Sequence, residues 1–315
     1  MSVDRVATAS QTAYFLAQIE RAGSQLDKTQ TQIASAKNAT TYAGFGDKTQ
    51  VLTASIAANA RNSAYTNATT FAATQVDMQD TQLNSLSDLA AQLKKAVSNA
   101  VANNDATGLM EQVSSIFDQA TSILNSKDAN GDYIYSGGKT DTAPVSVNSL
   151  SQLAALPSVS NAFTNGTFTK SVQVADGVNV QYGVTASDVG TGLMQALQSI
   201  AQFNAGGSGN FATSLSQAQS TYLTGAITTA TTVDSDLNAQ VASNGFVANR
   251  LTDAQTQQTS MTTLYKGFVS DIQDTNMADA ATQLSLNQTQ LQAALQVTAG
   301  LHQLSLLNYL PSSGG

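Results

Sequence analysis

Residues 76–100, VDMQDTQLNSLSDLAAQLKKAVSNA, repeat with a period of seven. Val76, Leu83, Ala90 and Val97 form one series; Gln79, Leu86, Leu93 and Ala100 form its partner, set three residues on. Alternating steps of three and four put both series on one side of an α-helix, so the stretch reads as a helix packed lengthwise against neighbours. The pattern predicts a helix from about Val51 to Val101. Asn103-Asn-Asp-Ala-Thr-Gly108 is rich in turn formers and ends it. Beyond the turn, Leu109, Val113, Ile116, Ala120 and Ile123 share one face of a second helix. The short polar link between the two predicts an antiparallel hairpin.

The same periodicity marks both ends of the chain. Ile19, Leu26 and Ile33 recur every seven residues, with Leu16 and Gly23 between them, until Thr41-Tyr-Ala-Gly-Phe-Gly46 breaks the pattern. From about Phe211 to Leu310 the chain reads as helix again, with Gly225, Gly245 and Gly267 as weak points and no proline before Pro311. Leu284, Leu291 and Leu295, then Leu301, Leu304 and Leu307, give that end an apolar stripe.

The middle has a different texture. Asp128-Ala-Asn-Gly131 is a turn, Asp132-Tyr-Ile-Tyr135 is strand-like, and Pro144 and Pro157 fall nearby. Phe163–Val184 is the best strand region, with Ser171–Val174 and Val178–Tyr182 alternating apolar and polar around the hairpin turn Asp176-Gly177. Helix resumes near Val189–Phe203, and Ala205-Gly-Gly-Ser-Gly209 reads as a flexible loop. The fold class is mainly α with a small β-containing insert: long coiled-coil-like terminal helices, a helical core domain and an outer β domain. The expected division is 1–45 N-terminal assembly helix, 46–135 first part of the core, 136–205 outer β domain, 206–272 return helix of the core, and 273–315 C-terminal assembly helix.

Composition fits packed helices better than a catalytic core. In 315 residues there is no Trp, aromatics are 6%, charged residues 11%, and only three prolines interrupt the chain. The net charge of −8, with no Lys/Arg cluster, makes nucleic acid a poor partner. The C-terminal stripe has almost no Lys or Arg on its polar face, so helix packing is expected there and not a membrane surface. No run approaches a transmembrane span, and the start has no apolar segment with a cleavage site, which taken alone points to the cytoplasm.

No catalytic, cofactor or metal site is expected. With no cysteine, thiolate chemistry is excluded. The one histidine, His302, lies in the leucine-rich C-terminal helix without triad partners. The carboxylates are scattered, unlike a calcium loop, and Gly206-Gly-Ser-Gly209 lacks the Lys and the preceding strand of a phosphate loop. Asn67-Ala-Thr69 and Asn165-Gly-Thr167 match a glycosylation pattern of the kind chance produces in an Asn/Thr-rich chain.

The run Asp128-Ala-Asn-Gly-Asp-Tyr-Ile-Tyr-Ser-Gly-Gly-Lys-Thr-Asp-Thr-Ala-Pro-Val145 resembles the segment leaving the second core helix of hook–filament junction proteins, members of the flagellin superfamily. Val241–Leu251 is similar to the superfamily's returning helix, Asp271–Ala281 to the entry of its C-terminal helix, and Gln303–Leu310 to the junction-protein ending. One departure stands out: where the family commonly has a basic Gly-Lys-Arg run and an Asp-Asp-Pro-like turn, this chain reads Ala36-Lys-Asn-Ala-Thr-Thr-Tyr-Ala-Gly-Phe-Gly46.

The resemblance implies a structural, non-enzymatic subunit of the extracellular bacterial flagellum, exported unfolded through the flagellar type III channel without a cleaved signal peptide. It implies self-assembly through the terminal helices, with Leu16, Ile19, Leu26, Ile33, Leu284, Leu291, Leu295, Leu301, Leu304 and Leu307 as interface candidates. The implied partners are copies of the chain, neighbouring hook or filament subunits and an export chaperone, with no cofactor, nucleic acid or membrane. A junction subunit and a filament-forming flagellin are both compatible with the plan; the Asn-Gly-Asp-Tyr-Ile-Tyr motif favours the first.

Overall fold

The structure is a computed structural model that describes the backbone of residues 2–307 and the side chains of residues 10–300. Seven α-helices are present among the described residues: α1 (Ser2–Ser35), α2 (Thr49–Asn103), α3 (Leu109–Leu124), α4 (Leu150–Ala155), α5 (Ala186–Ala205), α6 (Gln217–Gln273) and α7 (Met277–Leu307). Strands β1 (Lys170–Ala175) and β2 (Val178–Tyr182) form one antiparallel hairpin. The chain is therefore mainly α with a small β insert. Two compact units are formed, one by Met1–Arg61 with Met261–Gly315 and the other by Asn62–Ser260.

The heptad read in residues 76–97 is the apolar half of a longer seam in the Asn62–Ser260 unit. Asn62, Thr69, Val76, Leu83, Ala90 and Val97 are all buried on α2, at strict seven-residue spacing. Leu223, Ala230, Leu237, Asn244, Leu251 and Gln258 are their buried counterparts on α6. The helices run antiparallel: the Asn62 amide donates to the Gln258 carbonyl (2.7 Å), and the Asn244 amide to the Val76 carbonyl (3.0 Å). At the apolar end α3 and α5 join α2 and α6 in one core that includes Leu86, Leu93, Phe117, Leu193 and Leu197. Gly190 on α5 sits against Leu124 and the Phe163 ring so closely that a β-carbon there would collide with Leu124.

Outward faces carry hydroxyls more than charges. On α2, Thr66, Thr70 and Thr74 each donate to the carbonyl four residues back, as do Thr252, Thr256 and Ser260 on α6. A hydroxyl satisfied in this way solvates a helix without an ion pair, which accounts for the low charge content. Gly225, Gly245 and Gly267, expected as weak points, lie inside an unbroken α6. The break in the C-terminal helical region falls instead at residues 274–276, where Asn276 caps α7 by accepting from the Ala278 and Asp279 amides.

The insert differs from the expectation in detail. The hairpin forms around Asp176-Gly177 as expected, with a register shift between Gln173 and Ala175. Asp132–Tyr135 is not a strand: the Asp128 carboxylate accepts from the Asn130 and Asp132 amides and winds the segment into a turn, leaving a single bridge between Lys127 and Tyr133. Tyr135 then plunges into the core, where burial holds its phenol pKa well above the usual range. Residues 163–169 are also irregular, because Gly137 and Gly166 approach backbone to backbone and the Gly166 amide donates to the Ser136 carbonyl.

The β hairpin lies on the polar half of the α2–α6 seam. Val172, Val174, Val180 and Tyr182 pack with Ala72, Val76 and Leu251 in a second cluster. Gln258 donates to both the Thr69 hydroxyl (2.9 Å) and the Val174 carbonyl (2.8 Å), and the Tyr65 hydroxyl donates to Asp176 (2.6 Å). The loop after α5, expected to be flexible, is pinned. Gln219 is buried and donates toward the carbonyls of Ser208, Gly209 and Asn210, and Thr213 bridges to Asp105. Phe203 stacks on Tyr222 beside it at 3.9 Å between ring centres, and burial pushes the Tyr222 pKa up to about 12.

Candidate assembly surface on the terminal helices

In the unit formed by the two chain ends, α1 and α7 pack side by side in opposite directions. At one end the residues after α1 are clipped to those before α7. Asn38 does most of this: its backbone amide donates to the Gln273 carbonyl (2.8 Å) and its side-chain amide to those of Ile272 (3.0 Å) and Asp274 (2.9 Å). Thr275 returns two bonds, from its amide to the Ala36 carbonyl and from its hydroxyl to the Asn38 side chain. Ala36 takes a left-handed conformation (φ 54°) to make the turn, and a 3-10 helix at Tyr42–Lys48 leads into α2. This is the link where the sequence departs from the flagellin pattern.

Further along, the helix pair is joined by polar groups. Asn287 on α7 is buried and donates to the Thr29 hydroxyl (3.0 Å) and toward the Gln25 carbonyl (3.3 Å), while Thr29 itself donates to Gln25 (2.9 Å). An asparagine in a helix seam fixes register at some cost in stability. Among the described apolar side chains of this unit, only Leu52 and Ala280 are buried.

The larger apolar groups face outward. Tyr14 and Leu16 on α1, and Met277, Leu286, Leu295 and Val297 on α7, are each between 47% and 60% exposed. Ile19, Leu26, Ile33, Leu284 and Leu291 are half-buried. The side chains of Leu301, Leu304 and Leu307, like that of His302, lie outside the described residues. Met277–Gly300 carries a single charge, Asp279. An apolar surface of this kind, nearly free of charge, has the make-up of the centre of a protein–protein interface. The Asn67 side chain is exposed on α2, while Asn165 is tied to Ser187 and Gly166.

Of the ten residues expected at an interface, Leu16 and Leu295 are exposed in the single chain, and the polar clasp beside them was not expected. Asn38, Thr29 and Asn287 give no signal in a hydrophobic period. The one trace is spacing, since Asn287 stands seven residues from both Ala280 and Ala294. Among the described residues no group of three His, Cys, Asp or Glu is placed to hold a metal, and no helix is long and apolar enough to cross a membrane.

Residues 213–310 match the family described as the bacterial flagellin C-terminal helical region. The flagellar hook-associated protein 3 of Escherichia coli (strain K12) is 32% identical over 93 residues, which is 28% of this chain and 29% of that protein. The protein of the same name from Salmonella typhimurium is 31% identical over 91 residues, with the same shares covered. The match thus spans less than a third of the length of these curated relatives. In fold, the chain is similar to a flagellar hook-associated protein of Vibrio parahaemolyticus, with TM-score 0.57 and 19% identity over 72% of this chain and 97% of that one. It is also similar to FlgL of Bacillus cereus, with TM-score 0.52 and 11% identity over 69% and 98%. Helices α6 and α7 thus lie in the region that matches the flagellin C-terminal helical family, and 72% and 69% of the chain are similar in fold to the Vibrio parahaemolyticus and Bacillus cereus proteins.

Proposed function

We propose that this chain is a structural subunit of the bacterial flagellum, seated at the hook–filament junction outside the cell and assembled through its terminal helices. The observation that carries this reading is the packing of the terminal helices: among the described side chains of α1 and α7 the fully buried ones are the small or polar Thr29, Ala280 and Asn287, while the large apolar ones are half-buried or exposed. Burying such side chains is worth roughly 25 cal/mol per Å² of apolar surface, a driving force released only when another helix covers them. Copies of the chain and adjoining hook or filament subunits are the covers this reading implies. An export chaperone would hold the same helices before assembly, and export would use the flagellar type III channel.

The name of the matched region supports a second reading, since a C-terminal helical region of flagellins also fits a filament-forming subunit. Quantitative mass spectrometry of sheared, washed flagella separates the two. A few copies at the hook-proximal end are expected of a junction subunit, and the bulk of the filament mass of a flagellin. Absence of the chain from intact flagella would overturn both.

The reading also gives each part of the chain a role, with 1–45 and 273–315 serving assembly, 46–135 and 206–272 forming the core, and 136–205 making the outer part while lending α5 and the hairpin to the packing of that core. No catalytic step is assigned to any residue.

A further inference from the structure

Three Asn-Gly dipeptides occur in the chain: Asn130-Gly131, Asn165-Gly166 and Asn244-Gly245. In this dipeptide the glycine nitrogen can attack the asparagine Cγ, because no side chain blocks its approach. A new N–C bond closes a succinimide ring as the C–NH₂ bond breaks and ammonia leaves. Water then opens the ring at either carbonyl, giving aspartate or isoaspartate. The chemistry needs a side-chain amide free to rotate and a glycine N–H that can leave its hydrogen bond.

Two of the three sites lack both freedoms. The Asn244 amide is buried and donates to the Val76 carbonyl (3.0 Å) and toward Asp80 (3.3 Å), and Gly245 lies deep inside α6. The Asn165 amide donates to the Ser187 hydroxyl (3.0 Å) and the Gly166 carbonyl (2.9 Å), its Oδ1 accepts from the Ser187 amide, and the Gly166 amide is bonded to the Ser136 carbonyl.

Asn130 is different. It is exposed, and among the described residues its side-chain amide has no hydrogen-bond partner. The Gly131 amide makes one turn bond, to the Asp128 carbonyl (3.0 Å), in a solvent-facing turn held by the Asp128 carboxylate. Such a turn opens at low free energy, whereas a helix interior opens only at the cost of its packing. We infer that Asn130-Gly131 is a built-in modification site, where hydrolytic deamidation installs a carboxylate or an isoaspartyl kink between Asp128 and Asp132 while the other two dipeptides are protected by the fold. The product would carry three carboxylates within five residues. In the isoaspartyl form the backbone gains a methylene in the turn that leads from α3 to buried Tyr135.

The folded full-length chain, held at mildly alkaline pH and body temperature, is digested at intervals and mapped by mass spectrometry with fragmentation that separates aspartyl from isoaspartyl products. Loss of ammonia is expected at Asn130 at least about tenfold faster than at Asn165 or Asn244, a ratio that corresponds to ~1.4 kcal/mol of activation free energy. The same incubation in urea should bring the three rates together. N130Q serves as the control and should abolish the early product. Equal rates in the folded chain, a faster reaction at Asn165 or Asn244, or an order in urea identical to that in buffer would overturn the assignment.

Discussion

Replacing Gln258 with alanine should loosen the Asn62–Ser260 unit at the point where α2, α6 and the β hairpin meet. Gln258 is 3% exposed, and its side-chain nitrogen makes two bonds, to Thr69 and to the Val174 carbonyl. Val174 sits where the hairpin register shifts, so Gln258 supplies the donor for a carbonyl at the irregularity. In Gln258→Ala the Thr69 hydroxyl keeps its bond to the Tyr65 carbonyl, but the Val174 carbonyl is left buried without this donor. Two lost bonds at about 1 kcal/mol each, plus part of the ~1–3 kcal/mol for an unsatisfied buried carbonyl, are partly offset by removal of the Gln258 Oε1, itself buried without a partner, and give roughly 2–4 kcal/mol. For a domain of this size that corresponds to a fall in Tm of about 5–12 °C.

Circular dichroism melts of the full chain would measure it. Gln258→Met, which keeps the length of the side chain, should recover only the packing share. Gln258→Glu adds a signature in pH. A carboxyl buried against a carbonyl has its folded pKa raised above the unfolded value of about 4.3, so its protonated form donates where the carboxylate cannot. Stability of that variant should be best below the unfolded value and be lost as pH rises through the folded one. A melting point of Gln258→Ala within about one degree of the parent chain would refute the reasoning, because it would put the bonds at well under 0.5 kcal/mol in total.

Leu295→Asp should block assembly without altering the monomer's far-ultraviolet spectrum, because Leu295 is half exposed in the single chain. An uncompensated charge costing ~3 kcal/mol on burial raises the critical concentration about 100-fold, readable by sedimentation, and normal polymerisation would sink the idea. Leu291→Asp should also perturb the monomer, since Leu291 is already half-buried there. Tyr222, with its pKa raised by burial, favours the protonated form in the folded state. Its contribution is complete below the unfolded value of about 10 and falls as pH rises toward about 12, and Tyr222→Phe should flatten that part of the stability profile. Replacing residues 146–186 with a Gly/Ser link, which the outer position expected of the insert would tolerate, should instead destabilise the Asn62–Ser260 unit. That segment supplies Leu153, Val172, Val180 and Ala186 to its buried interior, so protease resistance equal to the parent's would contradict this.

Most of the fold was legible because its strongest signals are local. The heptads of residues 76–100, the α3 face and the Asp176-Gly177 turn each specify an element without outside help. What could not be read is polar packing. Asn62 and Thr69 continue the α2 heptad, and Asn244 and Gln258 continue that of α6, but an apolar period ends where they begin. Their burial depends on carbonyls that a distant segment presents, which no spacing encodes. The Asp132–Tyr135 error has the same origin: alternation favoured a strand, and a single carboxylate, Asp128, imposed a turn. On the terminal helices the clasp of Asn38 and Asn287 could be seen only with both helices in place.

The shared seven-residue spacing of α2 and α6 limits how this protein can change length in evolution. Asn62 faces Gln258 and Val76 faces Asn244, so fourteen residues on one helix are matched by fourteen on the other. Losing one residue from α2 alone would rotate every later position by about 100° and turn its buried leucines and polar groups away from their counterparts. Removing whole heptads from both helices together keeps this matching intact. Genes for longer and shorter relatives should therefore differ by paired indels of about twenty-one nucleotides or multiples of that length, one in each half of the reading frame.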